Sequence, residues 1–319
     1  MKVLVTGAAG FLGSRLIRAL LAGEGPMGRV DAVVAADMAA CPVKDPRVVS
    51  RAGSVVDPAF AAAAVEPGTD VVYHLAAVLS GQSEAEFDIG MRVNVDATRL
   101  LLEACRRLDK PPRFVFTSSL AVFGGPMPEV VPEDMVLMPQ SSYGAEKAIG
   151  ELMVCEYARK GFVDGVVCRL PTITVRPGKP NSAASSFVSG IIREPLNGEP
   201  SECPVPLDTR LWISSPDAAV ANLVRAGAIS ADRLGGRPVL NLPGITVTAA
   251  EMLDSLERLG GPAARAKVAL TDVERIKAIV CSWPGAFDVA RPLALGFAAD
   301  ADFDGIVRQY MDDLAHARG

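Results

Sequence analysis

Tyr143 and Lys147 lie four residues apart in the segment Y-G-A-E-K, so a helix places their side chains on one face. A tyrosine, whose pKa is ordinarily near ~10, becomes a base close to neutrality when a cation stabilises its anion. Lysine can supply that cation and also reach a cofactor ribose. By itself the spacing is common by chance and favours a surface ion or packing role, so support must come from elsewhere in the chain.

Ser118 and Ser119 end the strand-like segment that precedes this predicted helix. Ligands bind at the carboxyl edge of doubly wound sheets, so a hydroxyl at this position can hold a reacting oxygen. Turn residues that merely terminate a strand would look the same. The tyrosine and lysine that follow at helical spacing favour the functional interpretation.

A glycine-rich turn, G-A-A-G-F-L-G, contains Gly7, Gly10 and Gly13, follows a strand pattern and opens a helix. Its glycines permit a tight turn and a close backbone approach to pyrophosphate, and the helix N-terminus attracts the anion. Asp37 ends the next strand, where a carboxylate can accept hydrogen bonds from ribose hydroxyls and repel a 2′-phosphate. The sequence therefore predicts NAD rather than NADP, and the alternative for Asp37 is a solvated strand end.

Short apolar runs alternate with helix-period segments, which predicts an α/β fold with a Rossmann-type, doubly wound parallel sheet. The predicted strands are Lys2–Thr6, Asp31–Asp37, Asp70–Leu75, Arg113–Ser118 and Gly165–Leu170. The predicted helices are Phe11–Leu21, Met91–Leu108, Tyr143–Lys160, Ser215–Ala228, Thr248–Leu259 and Phe303–Ala317.

The pattern changes after Pro171, where prolines from Pro177 to Pro206 predict a loop-rich stretch that carries specificity. We therefore expect two domains. Residues 1–171 form the NAD-binding Rossmann domain with the catalytic serine, tyrosine and lysine. Residues 172–319 form a smaller, mainly substrate-binding α/β region that is first loop-rich and then helical.

The composition restricts the class of partner. The chain has 319 residues, a net charge of -5 and no cluster of Lys and Arg, which disfavours nucleic acid and membranes and favours small molecules. Its 6 cysteines form no C-x-x-C pair and it has 2 histidines, so we expect free thiols and no metal site. The sequence begins on a strand pattern and contains no apolar run of spanning length, so we expect a cytoplasmic protein.

These motifs, in this order and spacing, resemble the extended short-chain dehydrogenase/reductase family, which includes nucleotide-sugar epimerases and dehydratases. The segments His74–Ala77 (H-L-A-A), Val93–Thr98 (V-N-V-D-A-T) and Phe116–Gly124 (F-T-S-S-L-A-V-F-G) extend the resemblance. It implies that Tyr143 accepts the proton, that Lys147 lowers the pKa of this tyrosine and binds ribose, and that Ser119 is the third catalytic residue.

The resemblance also implies a set of cofactor contacts, an adenine-binding turn and a segment that closes over the nicotinamide. These residues are Gly7, Gly10, Phe11, Leu12, Gly13, Asp37, Ser54, Val55, Leu75, Ala76, Tyr143, Lys147, Pro171, Thr172 and Ile173. Ser54 stands where the family usually has an aspartate. Asn94 and His74 are expected to be structural, and helix pairing in the family implies a homodimer.

The same three catalytic residues serve several reactions. Dehydratases commonly carry an Asp-Glu pair where this chain has Leu120 and Ala121, which disfavours dehydration. An epimerase would grip a diphosphate, for which Arg176, Arg193 and Arg210 are candidates, whereas a single arginine could instead pair with a carboxylate. A protein that only binds dinucleotide is disfavoured by the intact serine, tyrosine and lysine.

Further segments, Leu79–Gly81, Arg169–Phe187 and Ile191–Leu196, are similar to sugar-acid dehydrogenases of this family. This implies NAD-dependent oxidation of D-erythronate at C2 to 2-dehydro-D-erythronate (2-oxo-tetronate), with hydride transfer to NAD. The expected substrate contacts are Ser80, Ser118, Ser119, Tyr143, Arg176 and Asn181. Arg176 is our choice for the carboxylate, although an exposed charge beside a proline is equally consistent. The alternatives are a hexuronate dehydrogenase acting at C1 and a nucleotide-sugar 4-epimerase.

Overall fold

The computed structural model of the chain describes residues 1–23, 25–179, 183 and 185–318. The strands among these residues form three sheets. They are β1 (Lys2–Thr6), β2 (Ala32–Asp37), β3 (Val48–Ala52), β4 (Val71–His74), β5 (Arg113–Ser119), β6 (Asp164–Leu170), β7 (Thr172–Ile173), β8 (Ser201–Cys203), β9 (Arg210–Ser214), β10 (Val239–Asn241), β11 (Ile245–Thr248) and β12 (Val268–Leu270).

The α-helices range from single turns to the 18 residues of the helix that carries Tyr143. They are α1 (Phe11–Ala22), α2 (Pro58–Ala64), α3 (Ser80–Ala85), α4 (Phe87–Gly90), α5 (Ala97–Cys105), α6 (Ser142–Arg159), α7 (Ser186–Leu196), α8 (Pro216–Ala228), α9 (Ala231–Leu234), α10 (Ala249–Gly260), α11 (Pro262–Arg265), α12 (Glu274–Val280), α13 (Ala290–Ala294) and α14 (Phe303–Arg318). Within the described ranges, no helix has both the length and the apolar character needed to cross a membrane.

The largest sheet has seven strands in the order β10-β6-β5-β4-β1-β2-β3, all of them parallel. Its central strands are apolar along their length because helices cover both faces. The residues Ile17 of α1 and Leu223 of α8 belong to the core on one face, and Leu101 of α5 and Val154 of α6 belong to the core on the other. This confirms the predicted Rossmann-type, doubly wound fold.

A second core forms beside this sheet. It contains the three-stranded sheet β11-β9-β7, the pair β12-β8, and the helices α7, α10 and α14. Ile191, Met252, Leu256 and Val307 project from these helices into its interior. Met252 and Leu256 lie four residues apart on α10, which is the period that buries one face of a helix.

The chain after residue 171 contributes to both cores. Strand β10 pairs with β6 at the edge of the large sheet, and α8 packs against α1. The predicted cap of α8 is confirmed, because the Ser215 side chain accepts a hydrogen bond from Ala218 N at 3.1 Å and Pro216 follows it. The unit around the large sheet is therefore built from residues 1–171 together with segments that come later in the chain.

Two predicted segments are wrong in detail. The single helix expected over Met91–Leu108 is instead a π-helix at Met91–Asp96 followed by α5, which ends at Cys105. The stretch expected to be loops contains α7, with Pro195 inside it, and strand β8. Pro195 lacks the N–H that would donate to Ile191 O, and α7 ends one residue later, at Leu196.

Candidate active site

The carboxyl ends of the parallel strands open into a cleft of about 580 Å³. All of the site residues predicted from the sequence line this cleft, apart from Asn181, which lies outside the described residues. The cleft runs from the glycine-rich turn, past Tyr143, to Arg176 and Trp283 at the second core. A dinucleotide and a small substrate can therefore meet in one continuous space.

The glycine-rich turn is shaped by close backbone contacts. Gly7 has φ +68°, and a Cβ on it would lie 2.8 Å from Ala76 N. A Cβ on Gly13 would lie 2.1 Å from Gly7 O, so neither position accepts a side chain. Among the described side chains none caps the start of α1, which leaves its first N–H groups for an anion. This turn fits the pyrophosphate of a dinucleotide.

Asp37 stands at the end of β2 with its carboxylate held in place. Oδ2 accepts a hydrogen bond from Ala9 N at 3.0 Å, and Oδ1 accepts one from Ala39 N at 3.1 Å. The Asp37 carbonyl accepts from Gly53 N at 2.8 Å, which brings Ser54 to the same end of the cleft. Each carboxylate oxygen retains a lone pair with which to accept from a ribose hydroxyl.

Helix α6 and strand β5 bring the catalytic candidates together. Ser141 caps α6 by accepting a hydrogen bond from Gly144 N at 3.2 Å, and Tyr143 lies in the first turn. The Lys147 ammonium donates to Thr117 O at 2.9 Å and lies 5.6 Å from the centroid of the Tyr143 ring. Ser119 lines the cleft together with Tyr143, and its hydroxyl acts to lower the pKa of the phenol. The triad inferred from the sequence is thus contiguous in space.

The sequence led us to expect that Lys147 lowers the pKa of Tyr143, but in the protein alone the pKa of Tyr143 is raised. Burial raises the pKa of Tyr143 to about 12, and the negative charge of Glu146 acts in the same direction. The hydroxyl of Ser119 and the charge of Arg176 oppose that rise in pKa. Burial lowers the pKa of Lys147 to about 8, against the opposing charges of Glu146 and Glu151. Desolvation therefore outweighs the local charges in the protein alone.

Ser118 lines the cleft as expected, but its hydroxyl is engaged by a buried carboxylate. Its Oγ donates to Glu151 Oε1 at 2.5 Å, and Glu151 forms a buried ion pair with Arg169. Successive side chains of a strand point to opposite faces, so Ser118 and Ser119 are directed differently. The Ser118 hydroxyl is occupied by this buried carboxylate.

His74 and Asn94 have the structural roles expected from the sequence. The His74 ring hydrogen-bonds to the hydroxyls of Thr6 and Thr98 at 2.8 and 2.9 Å, and its burial lowers its pKa to about 3. The Asn94 side chain accepts from Val78 N at 3.0 Å and donates to Val78 O at 3.2 Å. Both residues fix the backbone around the cleft.

Sequence reasoning missed part of the substrate end of the cleft. Leu79, Ala183, Ser185 and Trp283 line it beside Ser80 and Arg176. Leu79 lies next to a predicted contact and could have been inferred by adjacency, whereas nothing in the local sequence marks Trp283. Its place depends on the packing of the segment after α12 against the second core.

The three arginines considered for a diphosphate separate in the structure. Arg176 lines the cleft, whereas Arg193 donates to Arg176 O at 2.8 Å and pairs with Glu194 at 2.5 Å. Arg210 pairs with Glu129 at 2.7 Å. Of these three arginines, one is placed to meet a substrate.

Comparison with known proteins agrees with this geometry. Over its whole length the chain is 52% identical to D-erythronate dehydrogenase from Cupriavidus necator, with 100% of both chains covered. It is 43% identical to D-erythronate dehydrogenase from Haemophilus influenzae, with 98% of this chain and 99% of the relative covered. The crystal structure of a nucleoside-diphosphate-sugar epimerase from Agrobacterium tumefaciens superposes with a TM-score of 0.93 at 38% identity, covering 98% of this chain and 94% of that one.

A family model described as the NAD dependent epimerase/dehydratase family matches residues 3–235. This span includes the glycine-rich turn, Asp37, Ser119, Tyr143 and Lys147. The protein is an NAD-dependent enzyme, and the cradle described above fits that cofactor. The chain belongs to the NAD dependent epimerase/dehydratase family.

Proposed function

We propose that this protein oxidises D-erythronate at C2 to 2-dehydro-D-erythronate with NAD as the acceptor. The observation that carries the proposal is its similarity, along the full chain, to two proteins named D-erythronate dehydrogenase, at 52% and 43% identity. Because both matches span the chain, they include the cofactor end of the cleft and also the substrate end. The chemistry of the lining residues is compatible with a short hydroxy acid.

In the proposed reaction Tyr143 takes the proton of the C2 hydroxyl, while Ser119 hydrogen-bonds to the same oxygen. When bound, NAD supplies the acceptor for the hydrogen and the electron pair that leave C2 as the carbonyl forms. The charge of Arg176 and the hydroxyl of Ser119 favour the phenolate of Tyr143, which its burial disfavours. The oxidation should therefore become faster as the pH rises towards the pKa of the tyrosine in the complex.

Arg176 is the proposed partner of the substrate carboxylate. Its guanidinium lies close enough to Tyr143 to lower the pKa of the phenol, and the phenolate raises the pKa of Arg176 in return. A planar guanidinium can bind a carboxylate through two hydrogen bonds and so orient C2 towards the tyrosine. Ser80 is the proposed partner of a substrate hydroxyl. We infer that residues 172–319, which supply Arg176 and Trp283, carry most of the substrate specificity.

Nucleotide-sugar epimerisation is the second candidate, because the Agrobacterium tumefaciens structure named as an epimerase superposes so closely. An epimerase must hold a diphosphate, usually with several dispersed cations. Arg193 pairs with Glu194 and Arg210 pairs with Glu129. Neither of these two arginines lines the cleft, whereas Arg176 does. A single lining arginine suits a carboxylate better than a diphosphate.

The test is NADH formation by the purified protein with a panel of C4 to C6 aldonates and uronates, and a parallel assay of UDP-sugars for epimer formation. We expect one NADH per D-erythronate consumed, and slower turnover with other acids. Chromatography and mass spectrometry of the product should identify the 2-oxo acid. No NADH with D-erythronate, together with an epimer formed from a UDP-sugar at constant NAD, would overturn the proposal.

We also propose a homodimer and a cytoplasmic location. Support for the dimer comes from α6, where Leu152 is 68% exposed and Ile149 is 38% exposed next to α5. Support for the location comes from the six free cysteines, since free thiols are typical of a reducing compartment. Light scattering of the purified protein tests the first proposal, and fractionation of cells tests the second.

A further inference from the structure

Glu146 is a buried carboxylate of α6 that the proposed chemistry does not use. It is 1% exposed, and it does not line the cleft although Tyr143 and Lys147 on the same helix do. Its Oε2 accepts hydrogen bonds from Ser83 Oγ at 3.0 Å and from Asn94 Nδ2 at 2.6 Å. Burying a carboxylate is costly unless its hydrogen bonds offset the lost hydration.

The other oxygen, Oε1, is buried and accepts no hydrogen bond from the described residues. A Cβ on Gly90 of α4 would lie 2.1 Å from this oxygen, so the carboxylate fills the space left by a glycine. The Glu146 carboxylate is therefore fixed by packing against Gly90 on one side and by hydrogen bonds from Ser83 and Asn94 on the other. An arrangement that leaves one oxygen unsatisfied is not explained by stability alone.

The two donors connect Glu146 to the substrate end of the cleft. Ser83 belongs to α3, a helix of six residues that begins at Ser80, a residue of the cleft lining. A helix this short is not stable by itself, so its position depends on its tertiary contacts. The Asn94 side chain hydrogen-bonds to both the N–H and the C=O of Val78, in the segment before α3.

A second contact joins α3 to α6. The Glu84 carboxylate accepts a hydrogen bond from Ser142 N, at the first turn of α6, at 2.9 Å. The start of α6, which carries Tyr143, and the helix that begins at Ser80 are thus linked at Ser142 and at Glu146. A displacement of Glu146 would move the substrate-lining end of α3 relative to Tyr143.

We propose that Glu146 is a positioning residue that holds α3, and with it Leu79 and Ser80, at a fixed distance from Tyr143 for substrate binding. The inference rests on the proposed function only in the choice of substrate for the kinetic assay. It assigns to Glu146 a role in substrate affinity and not in proton transfer. The charge of Glu146 also favours the protonated form of Lys147, which agrees with a group kept beside the catalytic residues.

The test compares Glu146→Met with Glu146→Gln in the full chain. Glutamine keeps an acceptor oxygen for Ser83 and Asn94, whereas methionine keeps the length of the side chain and removes the acceptor. Glu156→Met, an exposed position on the same helix, is the matched control. The first readout is hydrogen–deuterium exchange of the peptide spanning residues 78–86 without substrate, and the second is the KM and kcat for D-erythronate.

We expect Glu146→Met to speed exchange in α3 and to raise KM about tenfold, because charge-assisted hydrogen bonds of this kind are lost. The change in kcat should be smaller, and Glu146→Gln should restore most of the α3 protection and of the KM. Gly90→Ala should also speed exchange in α3, because its Cβ displaces the carboxylate without removing it.

Unchanged α3 exchange and unchanged KM in a folded Glu146→Met protein would overturn the inference. A fall in kcat alone, with α3 exchange unchanged, would overturn it too, since it would mean that Glu146 acts directly on Tyr143. If the unmodified protein does not oxidise D-erythronate, the proposed function fails. The exchange measurement still decides whether Glu146 anchors α3.

Discussion

Arg169→Met removes the cation of a buried ion pair that lies directly behind the catalytic residues. The side chains of Arg169 and Glu151 are 7% and 3% exposed. Arg169 Nε and Nη2 donate to Glu151 at distances of 2.7 to 3.2 Å, and Nη1 donates to Glu133 O at 3.1 Å and Asn241 Oδ1 at 3.3 Å. After the substitution Glu151 keeps the hydroxyl of Ser118 as a donor, and its charge is no longer balanced.

The expected loss in the free energy of unfolding is about 3–5 kcal/mol, which is typical when one member of a buried ion pair is removed. The double variant Glu151→Leu with Arg169→Met should lose less than Arg169→Met alone, because no buried charge remains. Exposed ion pairs contribute about 0–1 kcal/mol to the free energy of unfolding. The control is therefore Arg159→Met, which breaks an exposed pair with Glu156 on α6, the helix that also carries Glu151.

Urea unfolding followed by the fluorescence of the two tryptophans measures five proteins: the unmodified chain, Arg169→Met, Glu151→Leu, the double variant and Arg159→Met. Turnover of Arg169→Met should also fall, because Ser118 precedes Ser119 on β5 and its contact with Glu151 would change. A loss below about 1 kcal/mol for Arg169→Met would refute the reasoning. A double variant whose loss equals the sum of the two single losses would show that the charges are not coupled.

Three further outcomes are expected at the cofactor and the reacting oxygen. Tyr143→Phe should bind NAD but lose ~10²–10⁴-fold in kcat, measured by NADH formation, and retention of most of the turnover would exclude Tyr143 as the base. Asp37→Ala should raise the KM for NAD and reduce the ratio of kcat/KM with NAD to kcat/KM with NADP. Equal kcat/KM values for the two cofactors in the unmodified enzyme would contradict this role of Asp37. Because burial lowers the pKa of Lys147 to about 8, the ammonium is lost above that pH. NAD affinity measured by calorimetry should therefore be constant below about pH 8 and weaken above it, and Lys147→Met should remove this dependence.

The strands of the large sheet could be predicted because most of them are buried on both faces and read as apolar runs. Val3 to Val5 of β1 and Val71 to Tyr73 of β4 show this directly. Strand β3 was missed because it lies at the edge of the sheet, where Val49 is 52% exposed and Ser50 and Arg51 interrupt the apolar run. An edge strand needs no continuous apolar run, so its sequence resembles that of a loop.

Helix geometry was harder to predict where local rules are broken. The apolar spacing of Met91–Leu108 predicts an α-helix, but the π-helix at Met91–Asp96 contains Asn94, whose side chain binds Val78, Ser83 and Glu146. Those contacts come from other parts of the chain and leave no local periodicity. In the same way, Pro195 suggested a loop, although the buried Ile191 and Ile192 favour a helix against the second core.

The site could be predicted where its chemistry is local in sequence. The glycine-rich turn and the pair Tyr143 and Lys147 each lie within seven residues, so spacing alone describes their geometry. The direction of the Ser118 side chain depends on Glu151, which is 33 residues away, and the place of Trp283 depends on the second core. Such long-range contacts require the folded chain.

The return of the chain to the large sheet has an evolutionary consequence. A chimera that joins residues 1–171 of this chain to the remainder of a relative would exchange the substrate loops together with α8 and β10. The new α8 and β10 would then have to match Ile17 and the other residues that pack with Leu223 and Leu240 in the same core. Recombination at this junction carries the second core over whole but mismatches residues in the core of the large sheet. New substrate preferences in this architecture should therefore arise mainly by point substitution around the cleft.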